Sequence, residues 1–294
     1  MKGKKTVIVL ISTVMTVCTM AVGLTACGGA KFSADKNITV VAREDGSGTK
    51  SAFMEIIGLK DKPDVSGVII AAGTAPVMQE VKNNPHAIAY DSLGYVTDDV
   101  KVLSIDGVYP TVETIKDGSY AISRPLSIVY KPTAIESGVN KAFYDFLLST
   151  TAQDIVAKEG YINVSATYSY TIQANLSGNI DISGSTSLQP LMKELAKKFE
   201  SLQSNVTVTV AGGGSGTGLK NAENGTSDFG MISKEKKTDD DAPSCLATEV
   251  ARDGIAVIVN KNNPLDSITL AQLKNIYDRD AGSDQIKVWK QIIK

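Results

Sequence analysis

Three short runs of glycine, serine and threonine carry most of the chemistry in this chain. They are Arg43-Glu44-Asp45-Gly46-Ser47-Gly48-Thr49, Ser183-Gly184-Ser185-Thr186-Ser187 and Gly212-Gly213-Gly214-Ser215-Gly216-Thr217-Gly218. Each follows an apolar, strand-like run and opens a helix-like one. A strand–turn–helix junction of small residues aims backbone N–H groups and hydroxyls at one spot, where the helix dipole also favours negative charge. Three such junctions in one chain point to a tetrahedral oxyanion as the ligand.

Other reactive side chains are scarce. The single histidine, His86, lies in Asn83-Asn84-Pro85-His86, which reads as a polar turn. A serine hydrolase would need a base that His86 does not supply. Neither Ser47 nor Ser215 stands in a full G-x-S-x-G turn, because Asp45 and Thr217 interrupt the pattern. The chain is therefore expected to bind and not to catalyse, with no metal and no cofactor.

The elements that must position the turns alternate strand and helix. Strands are predicted at 37–42, 66–71, 87–90, 100–105, 125–130, 180–182, 206–210, 229–232 and 255–260. Helices are predicted at 51–57, 75–82, 141–148, 152–159, 188–202, 218–223 and 270–277. This alternation implies an α/β fold with mostly parallel sheets. Ligands on such sheets bind beyond the carboxyl ends of the strands, where all three turns fall. Residues 166–178 hold Tyr168 and Tyr170 among polar residues without a period, and read as a linker.

The chain has 294 residues, and its first 26 have the plan of a secretory signal. Lys2, Lys4 and Lys5 precede an uncharged stretch from Thr6 to Gly23, which ends in Leu24-Thr25-Ala26-Cys27. A cysteine after small residues is what a lipoprotein signal peptidase requires. Cys27 is thus the expected lipidation site, with 27–36 a tether and the domain held on the extracytoplasmic face of the cell membrane. An uncleaved transmembrane anchor is the alternative, but the apolar run is short for a span. Removing the three lysines leaves a mature net charge of about −5, which argues against a nucleic-acid partner. Cys18 leaves with the signal, so Cys245 has no intramolecular partner and is expected as a small buried residue.

Longer stretches carry a resemblance. Ile182 to Ser187, Gly212 to Gly218, Gly225-Thr226-Ser227-Asp228-Phe229-Gly230-Met231 and Ala251-Arg252-Asp253-Gly254-Ile255-Ala256-Val257 resemble the first half of the PstS-type phosphate-binding proteins, the receptors of phosphate ABC importers. Arg43 to Thr49, Asn84 to Tyr90, Ser92-Leu93-Gly94-Tyr95 and Ser123-Arg124-Pro125-Leu126 are similar to the second half. The halves stand in inverted order, which reads as a circular permutation with the old ends joined through 166–178. The rival reading is a piece of a longer tandem chain. The resemblance implies a two-lobe type 2 periplasmic-binding-protein fold of the Venus-flytrap kind. One lobe would be continuous over 98–252. The other would be assembled from 37–97 and 253–294.

The resemblance also implies a site. Thr186, Ser187 and Ser215 would donate from one lobe, and Ser47, Gly48 and Thr49 from the other. Arg43 would give the oxyanion a charged fork. Asp45 would orient Arg43 and accept the proton of hydrogen phosphate. Some family members carry a further aspartate near Ile232-Ser233; here Ser233 can accept a hydrogen bond but brings no charge. Asp253 and Arg124 are expected to be structural, Asp253 as a hinge ion-pair partner. The function implied is capture of inorganic phosphate for an ABC permease and ATPase. The alternatives are a receptor or sensor for sulfate, molybdate or phosphonate, or an adhesin-like member.

Overall fold

The computed structural model describes residues 31–293 apart from Asp239. The signal segment and Cys27 lie outside the described residues. In chain order the strands and helices are β1 (Thr39–Arg43), α1 (Gly48–Ile56), β2 (Ile69–Ala71), α2 (Thr74–Asn83), β3 (Ala87–Ser92), β4 (Lys101–Val102), β5 (Ser104–Ile105) and α3 (Val112–Lys116). There follow β6 (Ser123–Tyr130), α4 (Gly138–Leu147), α5 (Thr150–Lys158), β7 (Ile162–Asn163), β8 (Ser177–Gly184), α6 (Gln189–Leu202), β9 (Asn205–Gly213) and α7 (Ser215–Asn224). Last come β10 (Phe229–Ile232), β11 (Leu246–Val259), β12 (Ser267–Ile268) and α8 (Leu270–Tyr277). Among the described residues no helix is long and apolar enough to cross a membrane.

The main sheet runs β2-β1-β3-β11-β6-β10-β8-β9, with β4 and β7 also on β11. It is mixed, which corrects the expectation of a mostly parallel sheet. The β1–β2, β1–β3, β8–β9 and β8–β10 pairs are parallel, whereas β11 runs antiparallel to β3 and β6. The long strand β11 explains the difference. Its first part pairs with β6 and its last five residues with β3, so it passes from one group of strands to the other. The chain returns along it, and a returning strand is antiparallel to its neighbours.

Among the described residues, the two largest of four buried clusters flank that crossing. Phe53, Tyr90, Tyr277, Trp289, Ile255 and Val257 belong to the first. Phe143, Phe146, Phe199, Phe229, Ile182 and Leu195 belong to the second. The expected lobe boundary at residue 98 is corrected here. Leu103, Ile105, Ile115, Tyr120 and Ile122 all bury in the first core. The reason lies in the pairing: β4 hydrogen-bonds to Ile258 and Val259, and β5 to β12, all in the first lobe. The chain enters the second lobe only at β6 and leaves it along β11 near Asp253.

The two ends of the described chain meet on the first lobe. Asn37 bridges Val288, and the Lys290 amide donates to Ala34. Phe32 packs against Trp289 and stacks on His86, whose Nε2 accepts from the Ser33 amide. His86 is thus a packing residue of the chain ends. The segment 166–178 lies along the second lobe, where Tyr170 packs between Phe146 and Phe199.

Candidate functional site

Strand β1 ends at Arg43, and Gly46 turns the chain with φ of +81° into α1. That left-handed conformation suits glycine, which has no Cβ to clash. Ser47 caps α1, its Oγ accepting from the Lys50 amide at 3.3 Å. In the second lobe, β8 delivers Ser185, Thr186 and Ser187 to the start of α6, and β9 delivers Gly214 and Ser215 to the start of α7. The helix starts of both lobes therefore face one cleft.

Contacts across the cleft are direct. The Arg43 Nη2 donates to Thr186 Oγ1 at 2.9 Å. Thr49 Oγ1 lies 3.0 Å from Ser187 Oγ. The Gly216 amide donates to the Gly46 carbonyl at 3.0 Å. Within the second lobe, Ser215 Oγ accepts from the Ser233 amide at 3.0 Å and lies 3.4 Å from Ser233 Oγ. Gly48 packs against this pair so closely that a Cβ there would lie 2.3 Å from Ser215 Oγ. Arg43, Ser47, Thr49, Ser187, Ser215 and Ser233 are all buried. The structure thus sets Arg43, Gly48 and Thr49 against Thr186, Ser187, Ser215 and Ser233, while the Ser47 hydroxyl serves as the cap of α1.

Asp45 is a correction. Its side chain is fully exposed and pairs with Lys50 at 2.9 Å. The residue that orients Arg43 is Glu44, which takes Nε at 2.8 Å and Nη2 at 2.9 Å in a two-toothed pair. The Glu44 carboxylate also accepts from the Gly73 amide at 3.0 Å. Burial acts to raise its pKa, but the bonds and charge of Arg43, with the Gly73 amide, outweigh that and hold it below the ordinary value. The cause of the swap is local: the chain leaves β1 at Arg43, so strand alternation no longer places residue 45 beside residue 43.

A second residue emerges only from the structure. Asp91, on β3, is fully buried, with Oδ1 at 3.9 Å from Arg43 Nη1. Its one sequence signal is a charge directly after the apolar run Ala87-Ile88-Ala89-Tyr90. Behind it, Arg124 donates to Asp253 Oδ2 at 3.0 Å and to the Ser233 carbonyl at 3.2 Å. Asp253 also accepts from Ser92 Oγ at 2.7 Å. This buried pair ties both crossing strands to the loop that carries Ser233.

The descriptive model of the PBP superfamily domain matches residues 28–151 and 169–292. The phosphate-binding protein PstS 2 of Streptococcus agalactiae is 36% identical over 268 residues, covering 88% of this chain and 91% of that protein. The chain belongs to the PstS family. A solved phosphate-binding protein of a phosphate ABC transporter from Streptococcus pneumoniae superposes with a TM-score of 0.69. It is 32% identical and covers 87% of this chain and 100% of its own. The PstS of Bacillus subtilis matches differently: 36% identity over 132 residues, only 44% of this chain and 43% of that protein. The mixed α/β fold with two lobes is the one expected of the PstS family.

Proposed function

We propose that the chain captures inorganic phosphate between its lobes and hands it to an ABC permease and ATPase. One observation carries the reading. Arg43 is buried where the lobes meet, and its Nη1 has no hydrogen-bond partner among the described residues. Hydroxyls of Ser47, Thr49, Thr186, Ser187, Ser215 and Ser233 surround the same cleft. A charged guanidinium with a spare donor, set among neutral hydroxyls and helix starts, suits a small dehydrated dianion. In this reading the groups serve to hold the anion, while His86 packs with the chain ends. Closure of the two lobes over the anion provides capture, and reopening at the permease provides release. Cys27 is the proposed lipid anchor that keeps the receptor on the extracytoplasmic face of the membrane.

Titration calorimetry tests this directly. Phosphate is expected to bind one per chain, and Arg43→Ala to weaken it by about 100-fold or more. Unchanged affinity in that variant would refute the site. Sulfate, molybdate and phosphonate titrated in parallel identify the preferred anion, since Ser233 supplies a hydroxyl where a charge would reject sulfate.

The inverted order of the halves is proposed as a circular permutation. Three observations support it: the family model matches in two separate segments, the Bacillus subtilis protein aligns over one half only, and both chain ends pack on one lobe. A re-permuted chain that starts at residue 169 and ends at residue 165, with 293 joined to 31, should fold and bind phosphate equally well. An insoluble or non-binding product would count against the permutation.

A further inference from the structure

Asp91 and Arg43 form an unfinished pair. The parallel register that sets Thr39 beside Ala87 and Val40 beside Ile88 carries Arg43 beside Asp91 on the adjacent strand. Asp91 Oδ1 accepts from the Ser92 amide at 2.8 Å, but Oδ2 has no hydrogen-bond partner among the described residues. Arg43 Nη1 has none either, and at 3.9 Å it is too far from Oδ1 for a hydrogen bond. Two buried polar groups of opposite kind thus stand next to each other, unbonded, at the edge of the anion site. Fully buried polar groups are rarely left so.

We propose that Asp91 is a proton-linked positioning residue for Arg43: a phosphate dianion seated on the arginine draws a proton onto the Asp91 carboxyl. The inference rests on the phosphate reading above. The proton comes from solvent, and no bond of the ligand changes. The charged groups around Asp91 are Arg43 on β1, Arg124 on β6 and Asp253 on β11, with Glu44 reaching it only through Arg43. Glu44 and Asp253 already occupy the two arginines, leaving little positive charge for Asp91. A dianion on Arg43 takes up the remainder and adds like charge, which disfavours a second carboxylate.

The direction of the effect follows from burial. Burial pushes the Asp91 carboxyl up to about 8, with Asp253 adding to the rise and Arg43, the Ser92 amide and Arg124 opposing it. At pH 7 the group is largely protonated with or without phosphate, so it adds no pH dependence. Above about pH 8 the free receptor loses that proton and the phosphate-bound form keeps it. Binding must then take up a proton, and affinity must fall by up to about tenfold per pH unit. Phosphate is already a dianion throughout that range, so the slope belongs to the protein.

The test is phosphate calorimetry on the full receptor between about pH 8 and pH 9.5, where the ligand is a dianion, in two buffers of different ionisation enthalpy. The native protein should take up a growing fraction of a proton between about pH 8 and pH 9, approaching one at the alkaline end. Asp91→Asn should show neither the uptake nor the alkaline loss, whatever its absolute affinity. Infrared difference spectra of the native protein at about pH 9 give a readout that needs no variant. Adding phosphate should raise a protonated-carboxyl band, and its absence would overturn the proposal. Tight binding with no proton uptake, or the same slope in native and variant, would also overturn it. Failure of the native protein to bind phosphate at any pH would instead sink the functional reading.

Discussion

Gly48→Ala offers a sharp test of how the lobes meet. The added Cβ would lie 2.3 Å from Ser215 Oγ, 2.7 Å from Ser233 Oγ and 3.0 Å from the Ser233 carbonyl carbon. Carbon contacts are comfortable at about 3.5–4.0 Å, so the closed cleft must widen by about 1 Å or both hydroxyls must turn away. Turning Ser215 leaves the buried Ser233 amide unpaired, at a cost of about 1–3 kcal/mol. The backbone carbon cannot turn at all. Phosphate affinity should therefore fall by about 10- to 100-fold. The first lobe itself should not suffer, because Gly48 begins a helix, where alanine is favoured by up to about 1 kcal/mol. Calorimetry combined with thermal melting separates the two effects. The ligand-free melting temperature should hold or rise while the phosphate-induced shift shrinks. An affinity within about threefold of the native protein would show that the two lobes do not close on Gly48.

Further outcomes follow from the buried charges. Glu44→Gln leaves Arg43 with a neutral partner and should weaken phosphate binding about tenfold in calorimetry. Because the Glu44 carboxyl is held below its ordinary value, its contribution to stability is present above that value and is lost as pH falls through the lower folded one. The melting-temperature gap between native protein and Glu44→Gln should accordingly close below about pH 4. Arg124→Ala strands Asp253 in the interior without its partner and should cost about 3–5 kcal/mol in urea unfolding. Adding Asp253→Asn should return much of that loss, because the buried charge is then gone.

Much of this molecule could be read from residue order, and the misreadings have physical causes. The three small-residue turns were recognisable because strand, turn and helix start each leave a local mark on composition. The ion pair expected of Asp253 was also recognisable, and its partner proved to be Arg124. The lobe boundary was not, because β4 and β5 are two residues each and take their partners from the far end of the chain. The family pattern points to Asp45, yet which neighbour reaches Arg43 depends on where β1 stops. The role of Asp91 depends on strand register, which places Arg43 beside it across 48 residues of sequence. The long β11 was seen only in its last third, since Arg252-Asp253-Gly254 breaks the apolar run that marks a buried strand.

The length of β11 has a consequence for how the molecule comes apart. Its first part completes the second lobe beside β6, and its last five residues sit between β3 and β4 in the first. Neither core keeps all its strands once the other melts. Heat or urea should therefore remove both together, in one cooperative transition. Either half expressed alone would lack part of its sheet and expose the edge that β11 covers, an invitation to aggregate. A receptor whose two jaws must move independently is, through this one strand, a single unit of folding.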